Sequence, residues 1–218
     1  MWKARKWNSG RQRKRKIVAA FTPNDKFFYK AKEAWYRARS AFKLLEIQEK
    51  FIIFKKNQKI LDLWACPGSW LQVAQDNCDW WQFVWLDLQE IEPIKWIKTF
   101  VCDVFSDKVW KILKDELGFM HFDVIMSDMA PKTTWITDID QYASVELNLK
   151  ALDVMKKYLK PWWRWVFKVF RWEDFNDFWN EAKKYFPKMK TFKPKSVRPR
   201  SVEIYCIWKK WADNKIVE

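Results

Sequence analysis

The chain has 218 residues, enough for one or two domains at roughly 150 residues each. Hydrophobic residues make up 49% and charged residues 32%, which excludes a disordered chain, and no apolar run reaches the roughly 20 residues that cross a bilayer. Lys and Arg number 42 against 27 Asp and Glu, and the net charge of +15 points to a polyanionic partner.

Residues 1–16 carry Lys3, Arg5, Lys6, Arg11, Arg13, Lys14, Arg15 and Lys16 and no acid. Such a block repels itself until it meets phosphate, so residues 1–24 read as a basic RNA-binding arm. Residues 26–50 read as a helix and 59–63 as a short apolar strand. A helix opens over 69–75, strands follow at 83–87 and 97–101, then a helix at 108–116 and a strand at 122–127. Over 140–159 the apolar residues Tyr142, Val145, Leu149, Leu152, Met155 and Leu159 recur near the 3.6 period of a helix. A strand at 165–170, a helix at 174–185 and strands at 188–192 and 202–208 complete the series. Strands alternating with helices predict an α/β fold with a mainly parallel sheet and helices on both faces. The last two strands predict an antiparallel hairpin at its edge. With no internal repeat, the chain divides into the arm, one domain over 25–211 and a tail over 212–218.

The four cysteines, Cys66, Cys78, Cys102 and Cys206, form no CxxC pair, and His121 is the lone histidine, so no metal site is expected. The apolar stretch Ile17 to Phe21 is too short for a signal peptide. A cytoplasmic protein with free thiols, acting as a monomer away from membranes, is the expectation.

Ligands of open α/β sheets bind beyond the carboxyl ends of the strands. Four acids stand at or near four such ends: Asp62, Asp87, Asp103 and Asp128. Helix capping by Asp accounts for one or two of them, and less well for all four. An acid after a second strand commonly holds the hydroxyl pair of a nucleoside ribose. The GxxxxGK[ST] phosphate loop is absent, which disfavours a nucleoside triphosphatase.

Five segments then carry a resemblance: Arg37 to Leu44; Leu61-Asp62-Leu63 running into Ala65-Cys66-Pro67-Gly68-Ser69-Trp70; Val124 to Pro131; Phe167 to Phe170; and Lys193-Pro194 through Arg198, Arg200, Ser201, Glu203 and Tyr205. In this order and spacing the chain resembles the FtsJ-type RNA 2′-O-ribose methyltransferases from about residue 25 to 208. The resemblance implies a Rossmann-like methyltransferase fold that binds S-adenosyl-L-methionine. It implies a catalytic tetrad of Lys43, Asp128, Lys168 and Glu203. It implies cofactor contacts at Asp62, Trp64, Gly68, Trp70, Asp87, Asp103 and Asp128, with Asp87 on the ribose and Asp103 beside the adenine. The partner it implies is ribosomal RNA of the large subunit, methylated on a ribose 2′-hydroxyl, as of a uridine in 23S RNA. A transfer-RNA methyltransferase of the same fold and a non-catalytic RNA-binding or ribosome-assembly module are the alternatives.

The residue types agree with this chemistry. A ribose 2′-OH is a poor nucleophile, so an enzyme must align it and remove its proton. A lysine serves as base when burial or a second ammonium lowers its pKa. Lys168, inside the apolar run Val166 to Phe170, is the candidate base, with Lys43 as the second cation and Asp128 and Glu203 orienting both. Lys193, Lys195, Arg198 and Arg200 form a second basic cluster next to Glu203 and read as a phosphate clamp. Arg37 and Arg39 are further candidate RNA contacts.

One compositional feature cuts across this reading. Glycine occurs 3 times, where a usage of about 7% gives roughly 15, while tryptophan occurs 18 times. The resembled family has glycine at Trp64 and at or near Trp35, Trp85, Trp96, Trp135, Trp162, Trp163 and Trp172, whereas Trp70 is tryptophan in the family too. Lys160-Pro161-Trp162-Trp163 stands where a Pro-Gly-Gly turn is expected. The expectation is that UGA codons meaning glycine have been read as tryptophan, and that an indole at 64 projects into the cofactor pocket.

Overall fold

A computed structural model describes residues 25–209 apart from 65, 79–81, 119–120, 132–133, 135–136 and 172–174. The basic arm, the tail, Trp135 and Trp172 therefore lie outside the described residues. The elements in chain order are α1 (Lys26–Glu33), α2 (Ala41–Phe51), β1 (Ile60–Leu63), α3 (Ser69–Asn77), β2 (Phe83–Asp87), β3 (Ile97–Val101) and α4 (Asp107–Leu117). They continue with β4 (Phe122–Ser127), α5 (Thr137–Tyr158), β5 (Leu159–Phe170), α6 (Phe175–Tyr185), β6 (Lys190–Phe192) and β7 (Glu203–Lys209).

The seven strands form one sheet in the order β3-β2-β1-β4-β5-β7-β6. The strands from β3 to β5 are parallel, and β7 runs antiparallel to both β5 and β6. The chain winds outward through β1, β2 and β3, then returns to place β4 on the other side of β1. That reversal leaves a crevice beyond the ends of β1 and β4, the place where α/β sheets take ligands.

Every residue of β1, β2 and β4 is buried, as expected of parallel strands covered on both faces. One face packs Leu61, Leu63, Val84, Leu86 and Ile125 against apolar residues of α4, α5 and α6, among them Leu113, Leu152 and Phe178. The other packs Ile60, Phe83, Val124 and Met126 against Leu44 and Ile47 of α2 and Leu71 and Val73 of α3. No helix among the described residues is long and apolar enough to cross a membrane.

Two sequence expectations are corrected. The single helix over 26–50 is two helices. Asp25 caps α1 by accepting from the Phe27 and Phe28 N–H groups, and the chain turns at Trp35 in the left-handed conformation, φ 60°. A left-handed residue ends a helix whatever the apolar periodicity around it, and here the periodicity ran on across the break. Second, β5 starts at Leu159 and not at Trp165. Its register against β4 jumps from Phe122↔Leu159 to Val124↔Arg164, so residues 160–163 bulge out of the ladder at the expected Pro-Gly-Gly turn. The β6–β7 hairpin lies at the sheet edge as predicted, and its connection over 193–202 carries the second basic cluster.

Candidate active site

The crevice is built from the ends of β1, β2 and β4, the start of α2 and α3, and one face of β7. Asp62 in β1 is 1% exposed, and neither of its carboxylate oxygens has a hydrogen-bond partner among the described residues. Burial, with smaller contributions from Asp128 and Asp87, pushes its pKa well above the usual carboxylate range. Beyond β1 the chain turns at Trp64, φ 68°, whose N–H donates to the Leu86 carbonyl at 2.8 Å.

Gly68 opens α3 at φ 98°, where a β-carbon would stand 2.8 Å from Ile94 Cδ1 and 3.2 Å from Arg37 Nη1. The left-handed conformation favours glycine there, and a β-carbon would press on the ends of the Ile94 and Arg37 side chains. Arg37 donates from Nη1 to the Pro67 and Glu92 carbonyls at 3.2 and 2.6 Å, and from Nη2 to the Pro93 carbonyl at 3.0 Å. Its guanidinium thus ties the loop before α3 to the loop after β2. Arg37 is half-buried, and three main-chain carbonyls engage its five-donor fork.

Asp87, 2% exposed at the end of β2, accepts from the Cys66 N–H and the Gln89 N–H, each at 2.9 Å. Asp103, after β3, is exposed and accepts from the Phe105 N–H at 3.0 Å, while the N-cap of α4 is Ser106. Trp70 on α3 is buried; its indole N–H donates to the Ser40 carbonyl at 3.0 Å, and its ring lies 5.7 Å from that of Tyr205.

The four tetrad residues, widely spaced in sequence, come together. Lys168 Nζ lies 3.1 Å from Asp128 Oδ1 and also donates to the Asp128 main-chain carbonyl. Lys43 Nζ lies 2.6 Å from Glu203 Oε1 and 4.0 Å from Asp128 Oδ2. Burial on its own would raise the Asp128 pKa; Lys168, Lys43 and a hydrogen bond from Tyr205 outweigh it and hold the carboxylate below its usual range. Lys43 and Lys168 are both largely buried, as a lysine on an apolar strand or helix face is only when it is paired.

Tyr205 is a site residue that the sequence reading quoted in a motif but gave no role. Its hydroxyl donates to Asp128 Oδ1 at 2.9 Å, and burial, with Asp128 and Glu203 nearby, drives its pKa far up, so it stays a phenol donor. The signal was strand alternation: Glu203 and Tyr205 are two apart on β7 and share a face. Tyr205 is also the direct cross-strand partner of Lys168.

Of the expected RNA contacts, Arg39 is paired with Asp25 at 2.9 Å and donates to the Ser196 carbonyl at 2.6 Å. Arg198 Nε lies 3.7 Å from the same Asp25 carboxylate. Glu46 of α2 accepts from the Lys195 and Ser196 N–H groups at 2.6 and 2.8 Å, which fixes the loop beside the tetrad. The Lys195 and Arg200 side chains are exposed.

Ser40, Asp62, Trp64, Cys66, Ser69, Trp70, Asp128 and Ala130 line a cavity of about 130 Å³. A small-molecule site typically measures roughly 300–1,000 Å³. Acids at the ends of parallel strands stand beside a buried lysine–carboxylate cluster, in a fold that is that of a Rossmann-like methyltransferase. The chain belongs to the FtsJ-like methyltransferase family, which its residues 36–211 match.

Its relatives are named more narrowly. A ribosomal RNA large subunit methyltransferase E from Bdellovibrio bacteriovorus is 40% identical over 193 residues, covering 86% of this chain and 96% of the relative. One from Wolbachia pipientis is 38% identical over 184 residues, covering 84% and 94%. One from Methanothrix thermoacetophila is 39% identical over 186 residues, covering 85% and 72%. A crystal structure described as a ribosomal RNA methyltransferase from Plasmodium falciparum superposes with a TM-score of 0.71 at 28% identity, over 81% of this chain and 98% of that one.

Proposed function

We propose that this enzyme methylates the 2′-hydroxyl of a uridine ribose in 23S RNA of the large ribosomal subunit, with S-adenosyl-L-methionine as donor. The observation that carries the reading is the coupling of Lys168 to Asp128 and of Lys43 to Glu203 at the mouth of the crevice. The names of the relatives support the ribosomal substrate.

The polar groups of the crevice suit the cofactor. Asp62 is a buried acid with two unpartnered oxygens, which a cationic ligand group relieves. It would hold the cofactor's amino-acid ammonium. Asp87 would take the ribose hydroxyls, since a carboxylate that already accepts two N–H bonds still has lone pairs to offer. Asp103 would flank the adenine, and Gly68 lets the main chain come close. The bound sulfonium supplies an already activated methyl group.

The chain's own residues supply alignment and proton removal. Lys168, an ammonium in its ion pair with Asp128, would first release a proton to solvent and then accept the proton of the 2′-hydroxyl at Nζ, while Asp128 fixes its position. Tyr205 and Lys43 keep Asp128 ionised, and Glu203 neutralises Lys43, so the cluster holds two lysines without an unpaired buried charge. Lys195 and Arg200, with the residues 1–16, would contact phosphates. Work in the cytoplasm as a monomer fits this role.

The test is transfer of labelled methyl to large subunits from cells that lack the gene, with blocked 2′-hydroxyls mapped along the RNA. One new block on a 23S uridine is the expected result. Labelling of transfer RNA in place of 23S RNA would move the enzyme to the transfer-RNA class.

A further inference from the structure

We infer that the working form of this protein carries glycine at position 64, and likewise at 35 and 96, and that glycine at 64 is what admits the cofactor. The inference rests on the methyltransferase reading for the identity of the ligand, but its structural half stands alone.

Left-handed backbone costs a side chain little only when there is no β-carbon. Both described glycines, Gly68 and Gly118, have positive φ. The non-glycine residues with positive φ among the described residues are Trp35, Ile52, Asn57, Trp64, Trp96 and Lys188. Asparagine tolerates this region. Three of the others are tryptophans, at φ 60°, 68° and 71°, and all three are positions where the sequence led us to expect glycine.

The backbone at these turns is held in place. The Trp35 N–H donates to the Lys32 carbonyl at 3.2 Å, and the Trp35 carbonyl accepts from Gln72 Nε2 at 2.9 Å. The Trp64 N–H is tied to Leu86 at 2.8 Å. Relaxing φ at either position would break these bonds. The Trp35 indole gains little in return at 88% exposure, and Trp96, with Lys95 Nζ 5.0 Å from its ring, is 60% exposed.

Three other tryptophans are anchored as core or paired residues, while Trp85, also expected as glycine, is buried in β2 without positive φ. Trp70 and Trp208 donate their indole N–H to the Ser40 and Pro187 carbonyls, and Trp110 stacks on Tyr158 at 3.8 Å. Two populations under one residue letter are what a single misread codon produces: UGA for glycine at the turns, and UGG for tryptophan in the core.

At 64 the difference is functional. Trp64, packed in part against the apolar core, lines the cavity together with Asp62 and Asp128, and the space there is about 130 Å³. Glycine at 64 would remove the bulk of that lining residue and leave more room beside the Asp62 carboxylate.

Two experiments decide it. In the first, peptides covering 35, 64 and 96 from the protein made in its native cell are sequenced by mass spectrometry. Glycine at the three positions, with tryptophan at 70, 110 and 208, is expected; tryptophan at 64 overturns the inference. In the second, the chain as written is compared with Trp64→Gly and Trp64→Ala, measuring melting temperature without ligand and affinity for S-adenosylhomocysteine. Glycine should melt several degrees above both others, because alanine keeps the β-carbon, and should bind at least tenfold more tightly than tryptophan. Equal melting of the glycine and alanine variants overturns the backbone argument. Higher melting with equal affinity in the tryptophan and glycine forms leaves that argument standing and overturns the gating role of position 64, whereas no binding by any of the three overturns the cofactor reading.

Discussion

Lys168 and Tyr205 are direct cross-strand partners on β5 and β7, and both converge on the same carboxylate oxygen, Asp128 Oδ1, at 3.1 and 2.9 Å. An ammonium and a phenol on one acceptor fix the Asp128 rotamer, and through it the position of the Lys168 nitrogen. The consequences for transfer can be measured.

Lys168→Ala should reduce single-turnover methyl transfer by about 10²- to 10⁴-fold, the usual contribution of an acid–base group. Affinity for S-adenosylhomocysteine, read by calorimetry, should hold. Lys168→Arg should be nearly as damaging, since a guanidinium keeps its proton and its planar fork does not match a single-point contact. Near wild-type turnover in either variant removes Lys168 from the mechanism.

Tyr205→Phe removes one donor from an ionised acceptor, a bond worth about 1.5–3 kcal/mol, which corresponds to roughly 10- to 100-fold in kcat if it is lost in positioning. Tyr205 is a positioning residue, so its signature is a pH profile. Because its hydrogen bond helps lower the Asp128 pKa, the acid limb of the rate profile should move to higher pH. A merely structural role would lower stability and leave that limb in place.

Asp62→Asn should separate stability from binding. The folded-state pKa of Asp62 lies above the ordinary value of 3.8, so the folded chain holds a proton that the unfolded chain releases. Stability without ligand therefore falls as pH rises from about 3.8 toward the folded pKa, at up to about 1.4 kcal/mol per pH unit. Asp128 has the opposite sign: its contribution is present above 3.8 and is lost as pH falls through its lowered pKa. The Asn variant should lose the first slope, melt higher at pH 7 and bind S-adenosylhomocysteine more weakly in a chain with glycine at 64. Unchanged affinity would refute the proposed role at the ammonium.

Arg37→Ala should destabilise the domain, because three carbonyls in two loops lose their common donor. An RNA contact predicts a different result: a log–log salt slope smaller by roughly 0.7–0.9 for the lost phosphate. A lower melting temperature with the salt slope intact is expected.

Deletion of residues 1–16 should flatten the salt dependence of RNA binding, since each phosphate neutralised contributes roughly 0.7–0.9 to the slope. Turnover at saturating substrate should survive. An unaltered slope would mean that the segment is not an RNA-binding arm.

The sheet was legible because its central strands are short apolar runs and the helices between them are amphipathic. What escaped was set by single backbone torsions. Nothing in the residue types at 26–50 marks a helix break at 35, since tryptophan there conceals the left-handed turn. The start of β5 was hidden because residues 160–163 read as a turn, whereas the strand runs through them with a shift of register. In the site, the tetrad came from motif resemblance, because spacing alone does not bring Lys43 to Glu203. Arg37 looked like a nucleic-acid contact because a basic residue carries no mark of its partner; its three carbonyl acceptors belong to loops distant in sequence. Tyr205 escaped a role because its acceptor, Asp128, lies far away in sequence, just beyond the end of β4.

The place of β7 between β5 and β6 makes the site a record of whether folding has finished. The Lys43–Glu203 ion pair joins the second helix to the last strand, and the strand that brings Glu203 and Tyr205 has to enter the sheet beside a β5 already in register. A one-residue slip there would turn both side chains to the opposite face. A chain that stops before β7 has neither Glu203 nor Tyr205 and cannot close the pair with Lys43, so the four side chains meet only when the whole domain is in place.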